Sequence, residues 1–249
     1  MSRYSHDTVV PYRNSRQTKK EQVAGMFDNI AVRYDFLNHF LSAGIDVSWR
    51  KKLISQLKTI QPQTILDVAT GTGDVAILMA RMLKPARIKG IDISEGMLRI
   101  GRKKIANLLL NNKIELEKGD SEAINEDPGT FDAVTVAFGV RNFEDLEKGL
   151  SEIHRVLVPG GMIAVLEFSK PVGVFRPFYN LYMNRLAPFF GKIFSKNPEA
   201  YKYLHSSVKA FPEGETFLHI LEQVGFKDTY LKRLSLGICT IYCGRKPNV

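Results

Sequence analysis

Residues 65–77, ILDVATGTGDVAI, constrain the fold of this chain more than any other stretch. An apolar run ends in Asp67, a turn carrying Gly71 and Gly73 follows, and Asp74 opens a helical pattern. Strand, glycine turn and helix in that order start a βαβ unit, and the glycines let a backbone approach a ligand closely. The dinucleotide fingerprint would place a third glycine at position 76, where the chain has Ala76. The alternation then continues. TILDVA, ARIKGIDI, KIELEKGD, FDAVTVAFGV and GMIAVLEFS read as strands one to five. DVAILMARML, SEGMLRIGRKKIANLLL and EDLEKGLSEIHRVL read as helices, the second with a Ser N-cap. Strands separated by helices of this length predict parallel βαβ units with right-handed crossovers. GETFLHILEQVGF adds a helix ending at Gly225, and KDTYLKRLSL with GICTIYCGRK adds an antiparallel pair at the sheet edge.

Outside this core, residues 1–20 are polar and basic and are expected to be poorly ordered. Residues 21–60 have helical spacing (Met26, Ile30, Tyr34, Leu37, Leu41), broken at Gly44, with Asp46 placed to cap the next helix. From Val172 to about His205 the alternation stops, and VFRPFYNLYMNRLAPFFGKIF is rich in aromatics and cations. The chain thus divides into a flexible 1–20, a helical cap at 21–60, a nucleotide-binding core at 61–171, a lid or interfacial insert at 172–212, and core completion at 213–249.

At 249 residues the chain is long enough for one sizeable α/β domain with a cap. No window reaches the roughly 18 uninterrupted apolar residues of a membrane span, and the start MSRYSHDTVVPYRNSR lacks the apolar region of a secretory signal. Cys239 and Cys243 lie four residues apart on one strand, about 13 Å at the strand rise, too far for a disulfide. No metal site is expected, and the cysteines read as structural thiols of a reducing cytoplasm. The formal net charge of +9 fits plain solubility, a nucleic acid or an anionic membrane surface. No zinc finger or RNA-binding signature appears, which sets nucleic acid aside.

Three successive strands carry an acid at their carboxyl ends: Asp67, Asp92 and Asp120. That edge is where α/β sheets bind ligands. Asp67 and Asp74 flanking the glycine turn would repel a pyrophosphate, so a ligand with a cationic end fits better. S-adenosylmethionine (SAM), with its ammonium and sulfonium, is such a ligand. Asp92, nineteen residues after Gly73, can accept from both ribose hydroxyls, and Asp120 with Ser121 can meet the adenine amino group. The nicotinamide-dependent dehydrogenases share the loop and the ribose acid, so Asp92 alone does not choose. A noncatalytic basic scaffold gives no reason for three strand-end acids.

Beyond these features, MFDNIAVRYDFLNHFLSAGIDVSWR (26–50), AFGVRNFED (137–145), HRVLVPGGMIAVLEFSKP (154–171) and YKYLHSSVKAFP (201–212) give the chain a resemblance. From about residue 23 to 245 it resembles the class I SAM-dependent methyltransferases, and within them the quinone-biosynthesis C-methyltransferases. It departs from that pattern at Asp46, Thr70, Ala137 and Val158. The resemblance implies a Rossmann-like seven-stranded, mostly parallel sheet with an antiparallel edge strand. It implies SAM as methyl donor, with Thr72 at the methionine end, Asp92 at the ribose, and Asp120 and Ser121 at the adenine. Gly71, Gly73 and Asp67 would complete the cofactor site. Arg141 and Asn142 in FGVRN face the acceptor. Arg141 either orients a quinol oxygen as charge develops or anchors a loop carboxylate. Tyr34, Asn38, Trp49 and the 201–205 segment would close over the acceptor, with His205 as the one imidazole placed for acid–base work.

The reaction implied is methylation of demethylmenaquinol to menaquinol, with a polyprenyl-methoxybenzoquinol as the alternative acceptor. The expected partners are a prenylated quinol, a peripheral membrane contact, and either a second copy of the chain or other quinone-biosynthesis enzymes. The expected location is the cytoplasm, at the inner face of the cytoplasmic membrane.

Overall fold

The computed structural model describes residues 4–42, 44–171 and 198–248, with the backbone alone for 33–41 and 198–201. Seven strands form one sheet: β1 (Thr64–Val68), β2 (Arg87–Asp92), β3 (Ile114–Lys118), β4 (Phe131–Ala137), β5 (Leu157–Phe168), β6 (Lys227–Leu234) and β7 (Cys239–Arg245). Their order is β3-β2-β1-β4-β5-β7-β6. The first five run parallel, and β7 lies antiparallel between β5 and β6. The helices are α1 (Lys19–Leu41), α2 (Ile45–Gln56), α3 (Asp74–Met82), α4 (Glu95–Asn107), α5 (Leu146–Val156), α6 (Pro198–Ala210) and α7 (Glu215–Val224).

Alternation along each strand builds two cores, because successive side chains point to opposite faces. Ile65, Ala133, Met162, Ala164, Leu166 and Ile241 pack against Leu53, Ala76, Met79 and Leu98 of α2, α3 and α4. Leu66, Val134, Val136, Ile163, Val165 and Tyr242 pack on the other face against Leu150, Ile153, Phe217 and Leu221 of α5 and α7. Cys239 and Cys243 are free and buried on one face of β7, and burial pushes the Cys243 thiol up to about 11.

The strand order reverses direction at β1, where the connections from β1 and β4 diverge and open a crevice. The residues just past these strands, Ala69 and Phe138, both take left-handed backbone, at φ 55 and 59. The two turns pack so closely that a Cβ on Gly139 would stand 2.5 Å from the Cβ of Ala69. Only glycine lets both loops meet there.

The periphery departs from expectation in several places. The terminal segment expected to lie loose packs instead. Ser5–Thr8 form a 3-10 turn, His6 is fully buried, and the Tyr4 hydroxyl donates to Glu147 on α5. Its apolar contacts with Phe211 are what the charge-rich sequence hid. Gly44, at φ 75, caps α2 in place of Asp46. Asp46 lies in the first turn and is buried, paired with Arg50 and accepting from Ser42. The lid or interfacial insert predicted at 172–212 falls mostly outside the described residues; of it, the helix α6 is described. The side chains of Tyr34 and Asn38 also lie outside.

Candidate functional site: a cleft at the strand ends

The carboxyl ends of β1 to β4 line a cleft that is partly open to solvent. Its floor carries Gly71, Asp92, Ile93, Asp120, Ser121 and Asn142, and α1 roofs it with Lys20, Val23 and Phe27. Ala137, where the resembled family commonly has serine, lines it as well.

Asp92 ends β2 and is held by backbone donors. Its Oδ2 accepts from Gly71 N at 2.8 Å and its Oδ1 from Ser94 N at 2.8 Å. Burial pushes this carboxyl up to about 6, the backbone N–H groups of Ser94, Gly71 and Ile93 oppose the shift, and the nearby Asp28 charge adds to it. Each oxygen has a second lone pair, so the carboxylate can still accept two hydroxyls. Gly71, at φ 58, has nothing within 4 Å of where a Cβ would stand. Its backbone therefore faces open cleft.

Asp120 lies two residues beyond β3. Its Oδ1 accepts from Glu122 N at 2.9 Å, and its Oδ2 accepts from Lys20 Nζ at 2.5 Å. Glu122 is buried and anchors the next loop, its Oε1 accepting from Glu144 N at 2.8 Å and Asp145 N at 2.9 Å.

The other predicted residues are not all brought into this cleft. Asp67 sits inside β1 beneath the loop. It is 1% exposed and accepts from the hydroxyls of Thr70 and Thr135, each at 2.6 Å. Burial pushes it up to about 6 against those two bonds. Its part is to hold the loop, and Thr70, where the resembled family often has glycine, is what it holds. Thr72 is buried away from the cleft lining and accepts from Lys104 Nζ at 3.0 Å. Gly73, at φ 78, caps α3 and is likewise absent from the lining. Asp74 pairs with Lys104 at 2.7 Å and faces Arg50 at 3.7 Å. This corrects the repulsion inferred from two acids flanking the loop: Asp74 is compensated, and Asp67 lies buried beneath the loop. Of the acids singled out in the sequence, Asp92 and Asp120 line the cleft.

Arg141 also turns inward. It is 3% exposed, and its Nη1 donates to Glu167 Oε1 at 2.6 Å and to the Phe138 carbonyl at 2.6 Å. The guanidinium lies 5.6 Å from the Phe168 ring centroid, and among the described residues Nε has no hydrogen-bond partner. The carboxylate that it holds belongs to β5 and not to a loop. Asn142 does line the cleft, and its Oδ1 accepts from the Tyr203 hydroxyl of α6 at 3.0 Å. Trp49 is a core residue whose Nε1 donates to Ser235 at 2.8 Å. His205 is half-buried on α6, with its pKa lowered by burial and by Lys209. Sequence reasoning missed Lys20, Val23, Phe27 and Glu122. The first three recur three and four residues apart on α1, a spacing that marks one helix face but not what the face covers.

Among the described residues no three His, Cys, Asp or Glu side chains gather to hold a metal ion, and no helix is long and apolar enough to cross a membrane.

Two carboxylates at neighbouring strand ends, beside a glycine turn in a sheet of this order, define the class I methyltransferase fold. Solved structures share it at low identity. The cyclase SpnF aligns with a TM-score of 0.68 at 17% identity, over 92% of this chain and 96% of that one. A SAM-dependent methyltransferase from Thermotoga maritima aligns with a TM-score of 0.60 at 18% identity, over 90% and 99%. The chain belongs to the ubiE/COQ5 methyltransferase family, whose sequence model matches residues 15–246. The demethylmenaquinone methyltransferase of Bacteroides fragilis is 47% identical over 98% of this chain and 99% of its own length. The ubiquinone/menaquinone biosynthesis C-methyltransferase UbiE of Geobacter sulfurreducens is 46% identical over 92% and 90%.

Proposed function

We propose that this protein transfers a methyl group from SAM to a ring carbon of demethylmenaquinol, giving menaquinol. The observation that carries the donor is the pair Asp92 and Asp120 opening on one cleft beside the bare backbone of Gly71. The lining suits a nucleoside: a carboxylate with spare lone pairs to accept from the ribose diol, a second with Ser121 to accept from the adenine amino group, and apolar walls from Ile93, Met97 and Phe138. The acceptor follows from relatives of nearly equal length that are named for demethylmenaquinone.

The sulfonium supplies an electrophilic methyl group when SAM is bound. The chain's residues then need to align, exclude water and stabilise developing charge, since direct displacement needs no covalent help from the protein. Asn142, in the cleft and fixed by Tyr203, orients the acceptor. Arg141 acts behind it as a positioning residue, its cation held by Glu167 at the end of β5. Its guanidinium cannot serve as a base at ordinary pH, so the ring proton leaves through water. Thr72, Gly73 and Asp67 act from behind the cleft by shaping the loop. The +9 charge favours an anionic membrane surface, where a prenylated acceptor resides. The relative named for both ubiquinone and menaquinone supports a second acceptor, the methoxybenzoquinol.

The test is the quinone profile of cells lacking this protein. Accumulated demethylmenaquinone is expected; normal menaquinone with an undermethylated benzoquinone would move the assignment to the second acceptor. An anaerobic assay with purified protein should methylate the quinol and leave the oxidised quinone untouched. Equal rates on both would overturn the electron-rich acceptor.

A further inference from the structure

The roof of the cleft is α1, a helix that sequence reasoning placed over the acceptor. The structure puts its first half over Asp92 and Asp120. Two side chains pin it to opposite sides of that region. Asp28 Oδ1 accepts from Ser94 Oγ at 2.6 Å and Gly96 N at 2.8 Å, at the start of α4. Lys20 Nζ reaches the loop after β3, donating to Asp120 Oδ2 at 2.5 Å and Glu122 Oε2 at 3.1 Å. Between these pins, Val23 and Phe27 face the cleft.

The two carboxylates under Lys20 differ in freedom. The Glu122 side chain is 6% exposed and tied to two backbone amides, whereas that of Asp120 is 30% exposed and faces the cleft. An ammonium is a stronger partner for a carboxylate than the neutral amino group of a nucleobase. Lys20 itself lines the cleft beside Asp120, so an amino group approaching that carboxylate meets the ammonium there, and the two compete for it. The Lys20–Asp120 pair is partly solvated, so opening it costs little, and Glu122 keeps the ammonium partnered when it opens.

We propose that Lys20 is a further residue of the cofactor site: it closes the nucleoside end of the cleft on Asp120 and passes to Glu122 when an adenine amino group takes Asp120. This rests on the reading of Asp120 as the adenine acceptor. In the closed form Lys20 also relieves the mutual repulsion of Asp120 and Glu122.

The test is the binding kinetics of S-adenosylhomocysteine to the full chain, by surface plasmon resonance. That probe has no net charge, so salt acts on the protein's own ion pair. Association should accelerate as salt rises, because screening loosens the closed pair. Lys20→Met should associate faster than wild type, bind about two- to fivefold tighter, as loss of one half-exposed competitor predicts, and lose the salt acceleration. Asp120→Ala should bind more weakly than wild type. If Asp120→Ala is weaker but Lys20→Met binds with unchanged or reduced affinity, the competition is overturned and the adenine reading stands. If Asp120→Ala binds as wild type does, both fall. Should Lys20→Met fail to fold, a salt-independent association rate in the wild type overturns the proposal by itself.

Discussion

Asp92 at the end of β2 and Glu167 near the end of β5 occupy comparable places in the sheet and have opposite fates. Both are acids on parallel strands, and burial raises the pKa of both. Asp92 is held by backbone N–H groups alone, Gly71 on one oxygen and Ser94 on the other with Ile93 adding to them, and among the described residues no cation pairs with it. Glu167 is filled by the Arg141 guanidinium at 2.6 Å, the Phe168 amide at 2.8 Å and the Arg141 amide at 3.4 Å. A carboxylate steadied by amides stays available to a ligand, whereas one steadied by a guanidinium is consumed as structure. The half of the edge that carries Asp92 thus keeps acceptor capacity open to the cleft. The half that carries Arg141, as far as its described residues go, is a braced wall from which Asn142 looks out.

The largest effect that could break this contrast is on stability. Glu167→Ala should cost about 3–5 kcal/mol, because it leaves the Arg141 cation buried and uncompensated. Urea denaturation would measure it, and a loss below about 1 kcal/mol would mean the pair is not a brace. The next effect is on binding. Asp92→Ala should weaken SAM binding by more than about tenfold, the loss of hydrogen bonds to a charged acceptor, with little change in the urea midpoint. Unchanged affinity by calorimetry would remove Asp92 from the site. Wild-type affinity should also fall as pH drops through about 6, where Asp92 takes up a proton.

A subtler effect concerns Asp67, whose folded pKa of about 6 lies above the unfolded value near 3.9. The native state binds the extra proton between these values, so this group lowers stability as pH rises from about 4 to 6. Asp67→Asn removes that penalty. The unfolding free energy of the variant should therefore gain on wild type as pH rises through this window, and a constant difference would contradict the burial argument. The smallest effect separates the two halves. Tyr203→Phe should cost about 0.5–1.5 kcal/mol, raise KM for the quinol, and leave SAM affinity unchanged.

Much of the fold was legible because apolar alternation and helical spacing are local. Strands one to five and the helices between them match the structure to within a few residues at their ends. Asp92 and Asp120 were legible for a related reason: they sit at strand ends, and strand ends in an α/β sheet line the crevice. Thr72 and Arg141 show where that rule stops. Both follow strands at the correct edge, yet one points back toward Lys104 and the other inward to Glu167. A turn's position can be read from sequence, but the rotation of its side chains depends on partners 32 and 26 residues away. Asp74 misled for the same reason, since its compensating Lys104 and Arg50 come from other helices.

The sequence by itself determined the alternating architecture, the glycine-dependent loop and the two acids that line the cleft, because each follows from spacing along the chain. Only the tertiary structure decided what covers them. Lys20 and Asp28 lie far upstream of Asp120 and Ser94, separated from them by 100 and 66 residues. Their meeting depends on how α1 docks across the sheet edge, a packing choice that no local period encodes.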